Sequence, residues 1–598
     1  MGFASSSSTA RAVASLSNAG KGRVLVTRSS RPSPSLVPLR SLNRDHTRSF
    51  ASSRESASVA SSSGQSSGSR AALGLSLALL AGAIGGYLVA SDLQLEAGAR
   101  STSPEPSTPP ASSNFSQALS QLKQHFADEQ DCVSTEPTDL EAKGFSLWCQ
   151  HDASLPQVVV YPTCTDDVVA IVNIARENGV ALVPFAGGTC LEAHWYAPRD
   201  PKTGETIPTI SMAFERMDAL LEHDEDSGYV RVQPGLGWQD LNEDLKSRGS
   251  KLFWPVDPGP GSAFGGMLAT GGSGTGAVRY GTMKGDLILN VTVVLPSGEV
   301  IKTRSDARKS SVGPDLTKLF LGSEGTLGVI TEVTLRLVPR LKESVVTVAF
   351  DSVDQACRAS QAILNHGVGV SSIELLDDVM LKAINFASKP DPPHAERPSL
   401  FIKFSGSDVH TSEDQRLTRK LVAEHGADLS TLRTSRDEAE VEALWESRKV
   451  ALWSAMQYRG EGARCWTTDC CVPIARLPDY MKQVKEDLAK SNLVAPIVSH
   501  VGDGNFHALI VYKDGDKEEF ARAKDVVHRM VHLAQDLGGT ATGEHGVGRG
   551  KREYLERELG PGTVQLLRSI KNMLDPTGFM NPGTLLLPEG GDVATHAH

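Results

Sequence analysis

Between residues 254 and 300 the chain reads WPVDPGPGSAFGGMLATGGSGTGAVRYGTMKGDLILNVTVVLPSGEV, with nine glycines between 259 and 281. Glycine inside an element costs roughly 0.5–1 kcal/mol relative to alanine, so a run this dense exceeds what turns require. Its physical use is to bring backbone N–H groups against a flat or phosphorylated ligand. A shorter run precedes it: 156–190 predicts a strand at 158–161, a helix over 165–178 and a strand ending in Gly187 and Gly188. The helix carries apolar residues at 168, 171, 172 and 175, and Thr165, Asp166 and Asp167 supply its start. The glycines after the second strand do not form GxGxxG and no clear helix follows them. That context excludes a Rossmann fold, while pyrophosphate binding survives in another fold. Strands are predicted at 291–295 and 299–303.

Near the other end, SHVGDGNFH places His500 and His507 around an Asp503-Gly504 pair. Asp-Gly is a strong signal for a two-residue type I′ turn, which needs positive φ at both positions. That register pairs Gly502 with Asn505, Val501 with Phe506 and His500 with His507. Opposed residues on one face hold their Cβ atoms roughly 4.5–5.5 Å apart. Two readings stand on this stretch alone: the imidazoles share a divalent metal, or they stack and hydrogen-bond locally.

The chain of 598 residues is too long for one core and predicts two or more domains. A formal net charge of −11 argues against nucleic-acid binding as a main task. Eight cysteines show no CxxC spacing, and the adjacent Cys470 and Cys471 read as small buried residues of a strand.

The first hundred residues have a different composition. Residues 1–54 carry eight Arg and one Lys against the single acid Asp45, in a Ser- and Ala-rich context. We read 1–50 as a mitochondrial transit peptide ending near Phe50 or Ala51, with a chloroplast peptide as the alternative. Residues 71–90 hold twenty residues without a charge, which matches the roughly 20 residues that span a bilayer. We read them as one transmembrane anchor; the alternative is an amphiphilic extension of the presequence. Residues 91–130 are read as a linker, Ser/Pro-rich over 99–115. Arg54 and Arg70 precede the anchor whereas Asp92 and Glu96 come first after it. The bias of Lys and Arg then leaves the N-terminus in the matrix and the body outside the inner membrane, facing the intermembrane space.

Seven segments in order, PFAGGTCLEAH, VDPGPGSAFGGMLATGGSGTGAVRYGTM, LTKLFLGSEGTLGVITEVTLRL, TDCCVPIARLPDY, SHVGDGNFH, GGTATGEHGVGRGK and DPTGFMNPG, resemble the FAD-dependent D-lactate dehydrogenases of the vanillyl-alcohol-oxidase type. The resemblance covers about residues 150–585. It implies an α+β fold: a PCMH-type FAD-binding domain at 150–340, an α+β cap domain holding substrate at 341–570, and a return to the FAD domain at 571–585. Pro184, Ala186, Gly187, Gly188 and Thr189 resemble the family's first pyrophosphate loop. Asp257, Pro258, Thr270, Gly271, Ser273, Gly274 and Thr275 resemble its second flavin stretch. Glu324, Gly328 and Ile330 resemble the adenosine-flanking segment, and Asn581 the C-terminal flavin-side Asn. The family usually has Gly where this chain has Ala193, which tightens the loop without removing a ligand. His194 lies near where some relatives attach FAD covalently, but the branch resembled here holds it noncovalently.

The resemblance also assigns Glu544 to a metal with His500 and His507, and places His545 beside the substrate. A strand through Glu544 and His545 would point them to opposite faces. Two His and one carboxylate suit Zn²⁺ or Mn²⁺. The implied reaction is oxidation of D-lactate, or a related D-2-hydroxy acid, to the 2-oxo acid. In it the metal acidifies the hydroxyl, His545 takes the proton and FAD takes the hydride. Arg448 is read as the partner of the substrate carboxylate, against the reading of a solvated helix arginine. Asn505 lies on the predicted face of His507, within reach of substrate. Cytochrome c is the expected acceptor, its basic surface suited to an acidic body. The rival substrates are D-2-hydroxyglutarate or glycolate, with quinone or an electron-transfer flavoprotein as acceptor. The rival classes are an oxidase using O₂ and a membrane-tethered flavoprotein that scaffolds without turnover.

Overall fold

The computed structural model describes residues 114–129 and 131–587. The expected transit peptide (1–50), the anchor (71–90) and most of the linker lie outside the described residues. Among the described residues no helix is long and apolar enough to cross a membrane. The linker expectation is corrected at its end. Phe115–His125 is a helix, and Ala118, Leu122 and Phe126 pack with Val168, Ile171 and Val172 in one core. Apolar residues at 115, 118, 119, 122 and 126 follow helical spacing, which the Ser/Pro composition just before them obscured.

Two sheets carry residues 133–336. The first orders Val133–Ser134, Val158–Val160, Thr209–Ala213 and Ala181–Phe185. Its last three strands are parallel, because the helix Thr165–Glu177 crosses over between them. That helix buries Val168, Ile171, Val172 and Ala175, the face that the 3.6-residue period predicts. The second sheet is antiparallel and orders Leu220–Asp224, Tyr229–Val232, Val329–Arg336, Ile288–Val294 and Val300–Lys302. The glycine-dense run is not loop throughout. Phe264–Thr270 is a helix that buries Phe264, Met267 and Leu268 and stops at Gly271, whose φ of 70° is left-handed.

Residues 343–513 build one eight-stranded sheet. Its path runs Asp428–Thr434, Glu343–Ala349, Ser399–Ser405, Val370–Leu376, Ile497–Ser499, Asn505–Lys513 and Ala463–Thr467, with Cys470–Cys471 also paired to Asn505–Lys513. Cys470 is fully buried there. Alternation sorts the two faces. Ile373, Leu375, Phe506, Ala508 and Ile510 enter the largest core, under helices Val353–Asn365, Leu477–Ser491 and Lys517–Asp536. Leu376, Leu509 and Val511 lie on the other face with Asp378–Ser388, Glu438–Lys449 and Ala451–Arg459. Glu374 and His507 therefore belong to this second face, which meets the first two sheets. The chain finally returns to the first sheet, where Met580 bridges Leu182 and Asn581 N donates to Leu182 O at 2.8 Å.

Candidate functional site

The predicted hairpin register is wrong by two residues. Val498 pairs with His507 and Ile497 with Ala508, so His500 lies in the 500–504 connection instead of opposite His507. Asp503 N donates to His500 O at 2.9 Å, and of Asp503 and Gly504 only Gly504 has positive φ. A competing strand causes the difference: Cys470 and Cys471 pair with Phe506 and Asn505, which occupies the residues the tight turn needed. Packing also fixes the loop, since a Cβ on Gly502 would meet Ile373 at 2.4 Å.

The two imidazoles nevertheless converge, with ring centroids 5.4 Å apart. Glu544 Oε1 lies 3.2 Å from His500 Nε2 and 3.0 Å from His507 Nε2. Each histidine is held through its other nitrogen. His500 Nδ1 is 2.7 Å from Glu374 Oε1, and His507 Nδ1 is 2.9 Å from the carbonyl of Thr468. Carboxylate and carbonyl only accept, so both Nδ1 atoms carry hydrogen and both Nε2 atoms face Glu544. That is how proteins orient histidines as metal ligands. Burial opposes protonation of His500, but Glu374 and Glu544 outweigh it and hold its pKa well above the ordinary value. Burial likewise works against the Glu544 anion, yet the facing histidines keep its pKa well below the usual carboxylate range. The pocket thus stabilises a positive charge at the meeting point of three ligand atoms.

Asp469, His507, Glu544 and His545 form a tighter group, with ligand atoms all within 4.8 Å. Asp469 is nonetheless a poor ligand, because its oxygens are already engaged. Oδ2 accepts the backbone N–H of Glu544 (2.9 Å), that of His545 (2.8 Å) and the Thr542 hydroxyl (2.8 Å). Oδ1 accepts the Asn505 amide at 2.8 Å, and Lys551 Nζ lies 3.6 Å from Oδ2. Asp469 is the post on which the 541–551 loop hangs. The loop is irregular, not the strand considered above, so Glu544 and His545 face one cavity. Its glycines are steric necessities: a Cβ on Gly543 would meet Asn505 Nδ2 at 2.0 Å, and one on Gly546 would meet His194 at 2.7 Å.

His545 stacks on His507, with centroids 5.0 Å apart and ring planes 12° from parallel. Burial lowers its pKa to about 4; His507 and Lys551 push the same way and Asp469 opposes them. It is therefore neutral, and a proton acceptor, across the physiological range.

The remaining candidates divide. Arg448 lines the cavity, but its Nε donates to Glu374 Oε2 at 2.6 Å, so it is no solvated helix arginine. Asn505 does not line the cavity; its amide serves Asp469, which corrects its expected place beside substrate. Gly271 also falls outside the lining, capping a helix over Lys284. The other residues singled out by the sequence border a single cavity of about 850 Å³, within the range of cofactor sites. Asp469 and Glu374 were missed, because a lone acid within or beside a strand carries no local signal of its partners.

The glycine side of this cavity fits a large flat ligand. A Cβ on Gly259 would meet nothing within 4 Å, and one on Gly266 only Ala186 at 3.8 Å, so the backbone there opens directly onto the void. The two glycine loops are pressed together, with Thr189 Oγ1 3.0 Å from Ser262 Oγ and no room for a Cβ on Gly187 beside Gly261 O. Thr275 donates to the half-buried Asp257 at 2.7 Å, whose pKa is raised by desolvation. Glu324 accepts the N–H groups of Val547 (2.7 Å) and Gly548 (2.8 Å). Asn581 donates to the carbonyls of Glu324 (2.8 Å) and His194 (3.1 Å). Ser273, from the glycine run, donates to Glu544 Oε2 at 2.5 Å, so the glycine-lined side and the histidine–carboxylate cluster share a wall.

The FAD binding domain family matches residues 156–304, and the FAD linked oxidases C-terminal domain family matches 341–585. A mitochondrial D-lactate dehydrogenase [cytochrome] of Arabidopsis thaliana is 43% identical over 473 residues, covering 79% of this chain and 80% of the relative. D-lactate dehydrogenase [cytochrome] 1 of Saccharomyces cerevisiae is 38% identical over 481 residues, covering 79% and 80%. Among solved structures, 4-ethylphenol oxidase from Gulosibacter chungangensis superposes with a TM-score of 0.65 at 18% identity, covering 81% of this chain and 99% of that one.

Proposed function

The chain belongs to the FAD-linked oxidase family in which these mitochondrial D-lactate dehydrogenases fall, and we propose that it oxidises D-lactate to pyruvate with FAD and passes the electrons to cytochrome c. It is an FAD-dependent oxidoreductase. The observation that carries the reading is one continuous cavity bordered on one side by open glycine backbone and on the other by His500, His507, Glu544 and the neutral His545.

FAD would be held noncovalently by the loops around Pro184, Ala186, Gly187, Gly188 and Thr189, by Asp257, Pro258, Thr270, Ser273, Gly274 and Thr275, and by Glu324, Gly328, Ile330 and Asn581. When bound it supplies the hydride acceptor. A divalent ion, Zn²⁺ or Mn²⁺, would be held by His500, His507 and Glu544, where it supplies charge to acidify the substrate hydroxyl. Everything else falls to the protein. The Asp469 carboxylate lies 3.9 Å from Nδ1 of His545, too far for a hydrogen bond, and acts on the ring as a nearby negative charge; a ring nitrogen of the neutral His545 takes the hydroxyl proton. Arg448, its Nε committed to Glu374, offers its terminal nitrogens to the carboxylate. Val498, Leu509, Trp148 and Trp453 add apolar surface to the cavity lining.

Arg448 and Lys449 are the lysine and arginine residues bordering the cavity, and Lys449 leans toward Glu446 at 3.8 Å. One arginine suits a monocarboxylate. Anaerobic stopped-flow bleaching of the flavin tests this: D-lactate should act at least tenfold faster than L-lactate or D-2-hydroxyglutarate. Faster bleaching by D-2-hydroxyglutarate or glycolate, with quinone or an electron-transfer flavoprotein as the better acceptor, would replace the substrate reading. Flavin that stays with the acid-precipitated protein would identify a covalent link at a residue such as His194.

For location, mitochondrial relatives and the arginine-rich 1–50 support import. The uncharged 71–90 and the charges flanking it support an anchor in the inner membrane, with the body in the intermembrane space. Protease should digest the body in mitoplasts but not in intact mitochondria; protection in mitoplasts would place it in the matrix. Reduction of cytochrome c should slow as ionic strength rises.

A further inference from the structure

Glu374 has no counterpart among the residues that the reaction requires, yet it sits at the junction of two of them. It lies on the strand Val370–Leu376, fully buried, and is turned away from the core that takes Ile373 and Leu375. Its two oxygens are divided: Oε1 is 2.7 Å from His500 Nδ1 and Oε2 accepts Arg448 Nε at 2.6 Å. A buried carboxylate is costly unless paired, and here both pairings are with residues that face the cavity. We propose that Glu374 is a positioning residue that sets the ligand histidine and the substrate-binding arginine together, through one rigid carboxylate. The inference rests on the metal and substrate reading above.

The chemistry of the two donors explains why a carboxylate is needed. His500 must keep hydrogen on Nδ1 if Nε2 is to offer its lone pair to an ion. Arg448 presents an N–H from Nε. Glu374 therefore faces two donors, and only a group that accepts at both ends satisfies them. Glutamine has the same length but one accepting end. If its oxygen takes Arg448, its NH₂ meets His500 Nδ1 and drives the hydrogen to Nε2, which blocks the ligand atom. If its oxygen takes His500, its NH₂ opposes Arg448 Nε and displaces the guanidinium. Glu374→Gln must therefore damage the ion site or the carboxylate site, whichever way the amide turns. Glu374→Asp keeps the charge but is one methylene too short to reach both donors, and should damage both sites mildly.

The test uses the full-length holoenzyme loaded with Mn²⁺ or Zn²⁺. Metal per flavin is measured after dialysis, flavin content by absorbance, and KM and kcat for D-lactate separately. In Glu374→Gln, flavin should remain stoichiometric while bound metal falls at least tenfold, or KM rises at least tenfold, with the second defect smaller. Stoichiometric metal and unchanged KM in that variant overturn the proposal. If Glu374→Gln does not fold, Glu374→Asp decides: a several-fold loss in both quantities is expected, and wild-type values in both overturn it. A wild-type enzyme that binds no metal is a different outcome, because it removes the underlying reading rather than the role of Glu374.

Discussion

The two walls of the cavity are built on opposite principles. The glycine wall, where the proposed reading puts the flavin, is made by leaving side chains out: a Cβ would meet nothing within 4 Å at Gly259 and only Ala186 at 3.8 Å at Gly266, so backbone groups face the cavity. The cap-side wall is made by adding buried charge, from Glu374 and His500 through Glu544 and His507 to Asp469 and Lys551. The first wall needs room and the second needs partners. Substitutions should consequently fail in different ways on the two sides, one losing cofactor and the other losing ion and rate.

The largest effect is expected at the shared oxygen of the cap side. Glu544→Ala removes the group facing both Nε2 atoms, and should lower turnover by more than the roughly 10–100-fold expected for a group that only orients a ligand, because the ion's charge on the substrate hydroxyl is lost with it. Metal content should fall with it while flavin stays bound. His500→Ala and His507→Ala should behave alike. Full metal content in all three variants, measured by elemental analysis, would mean that the cluster is a hydrogen-bonded knot and not an ion site.

Asp469→Asn comes next. It retains the size of a post that accepts two backbone N–H groups but removes its charge, so turnover should fall roughly 10–100-fold, as for other second-layer groups, with metal partly kept. The pH profile gives its sign. The Asp469 anion favours protonated His545, so replacing it should move the acid limb to lower pH. In the wild type, with His545 near 4, the rate should stay level down to about pH 6 and fall only below about pH 5. An acid limb at pH 6.5 or above would remove His545 as the base.

These walls also differed in how far the sequence disclosed them. The flavin-side wall announced itself through composition, because no other use of nine clustered glycines outweighs their entropy. The histidines were legible as a pair, but by way of a turn that does not form; Cys470 and Cys471 compete for Asn505 and Phe506, a long-range pairing that no local pattern records. Asn505 followed the same error and was assigned to substrate when it braces Asp469. Glu374 and Asp469 were silent for a related reason: each is a single acid, one in the strand Val370–Leu376 and one in the break between Ala463–Thr467 and Cys470–Cys471, and their nearest side-chain hydrogen-bond partners in sequence stand 74 and 36 residues away. The helix Phe115–His125 was hidden by its neighbours in sequence, not by its own period.

A smaller effect with two signs is expected at Gly266. It lies within the helix Phe264–Thr270, and a Cβ there finds only Ala186 at 3.8 Å. Gly266→Ala should stabilise the flavin-free protein by up to ~1 kcal/mol, because alanine is the better helix former. The same methyl projects into the cavity and should weaken FAD binding severalfold. Measuring melting temperature with and without added FAD separates the two; FAD binding unaltered by the methyl would place the cofactor elsewhere in the cavity.

The smallest effect is expected at Ala193, where the family's usual glycine is replaced. Its φ is 55°, a left-handed conformation that costs a residue with a Cβ about 1–2 kcal/mol. Two terms oppose this cost. The Ala193 methyl is buried with Phe185, Trp195 and Tyr196, and burying one such group contributes about 0.8 kcal/mol. Glycine would also gain unfolded-state entropy worth roughly 0.5–1 kcal/mol. The sum is close to zero, so Ala193→Gly should shift the melting temperature by no more than about 1–2 °C. Its methyl packs among aromatic rings, so flavin affinity should not change. Beside Gly266→Ala, where the same methyl meets only Ala186, that null result would show that the flavin-side wall depends on where a Cβ points and not on glycine as such. A clear gain in FAD affinity for Ala193→Gly would mean instead that the tightened loop strains the cradle.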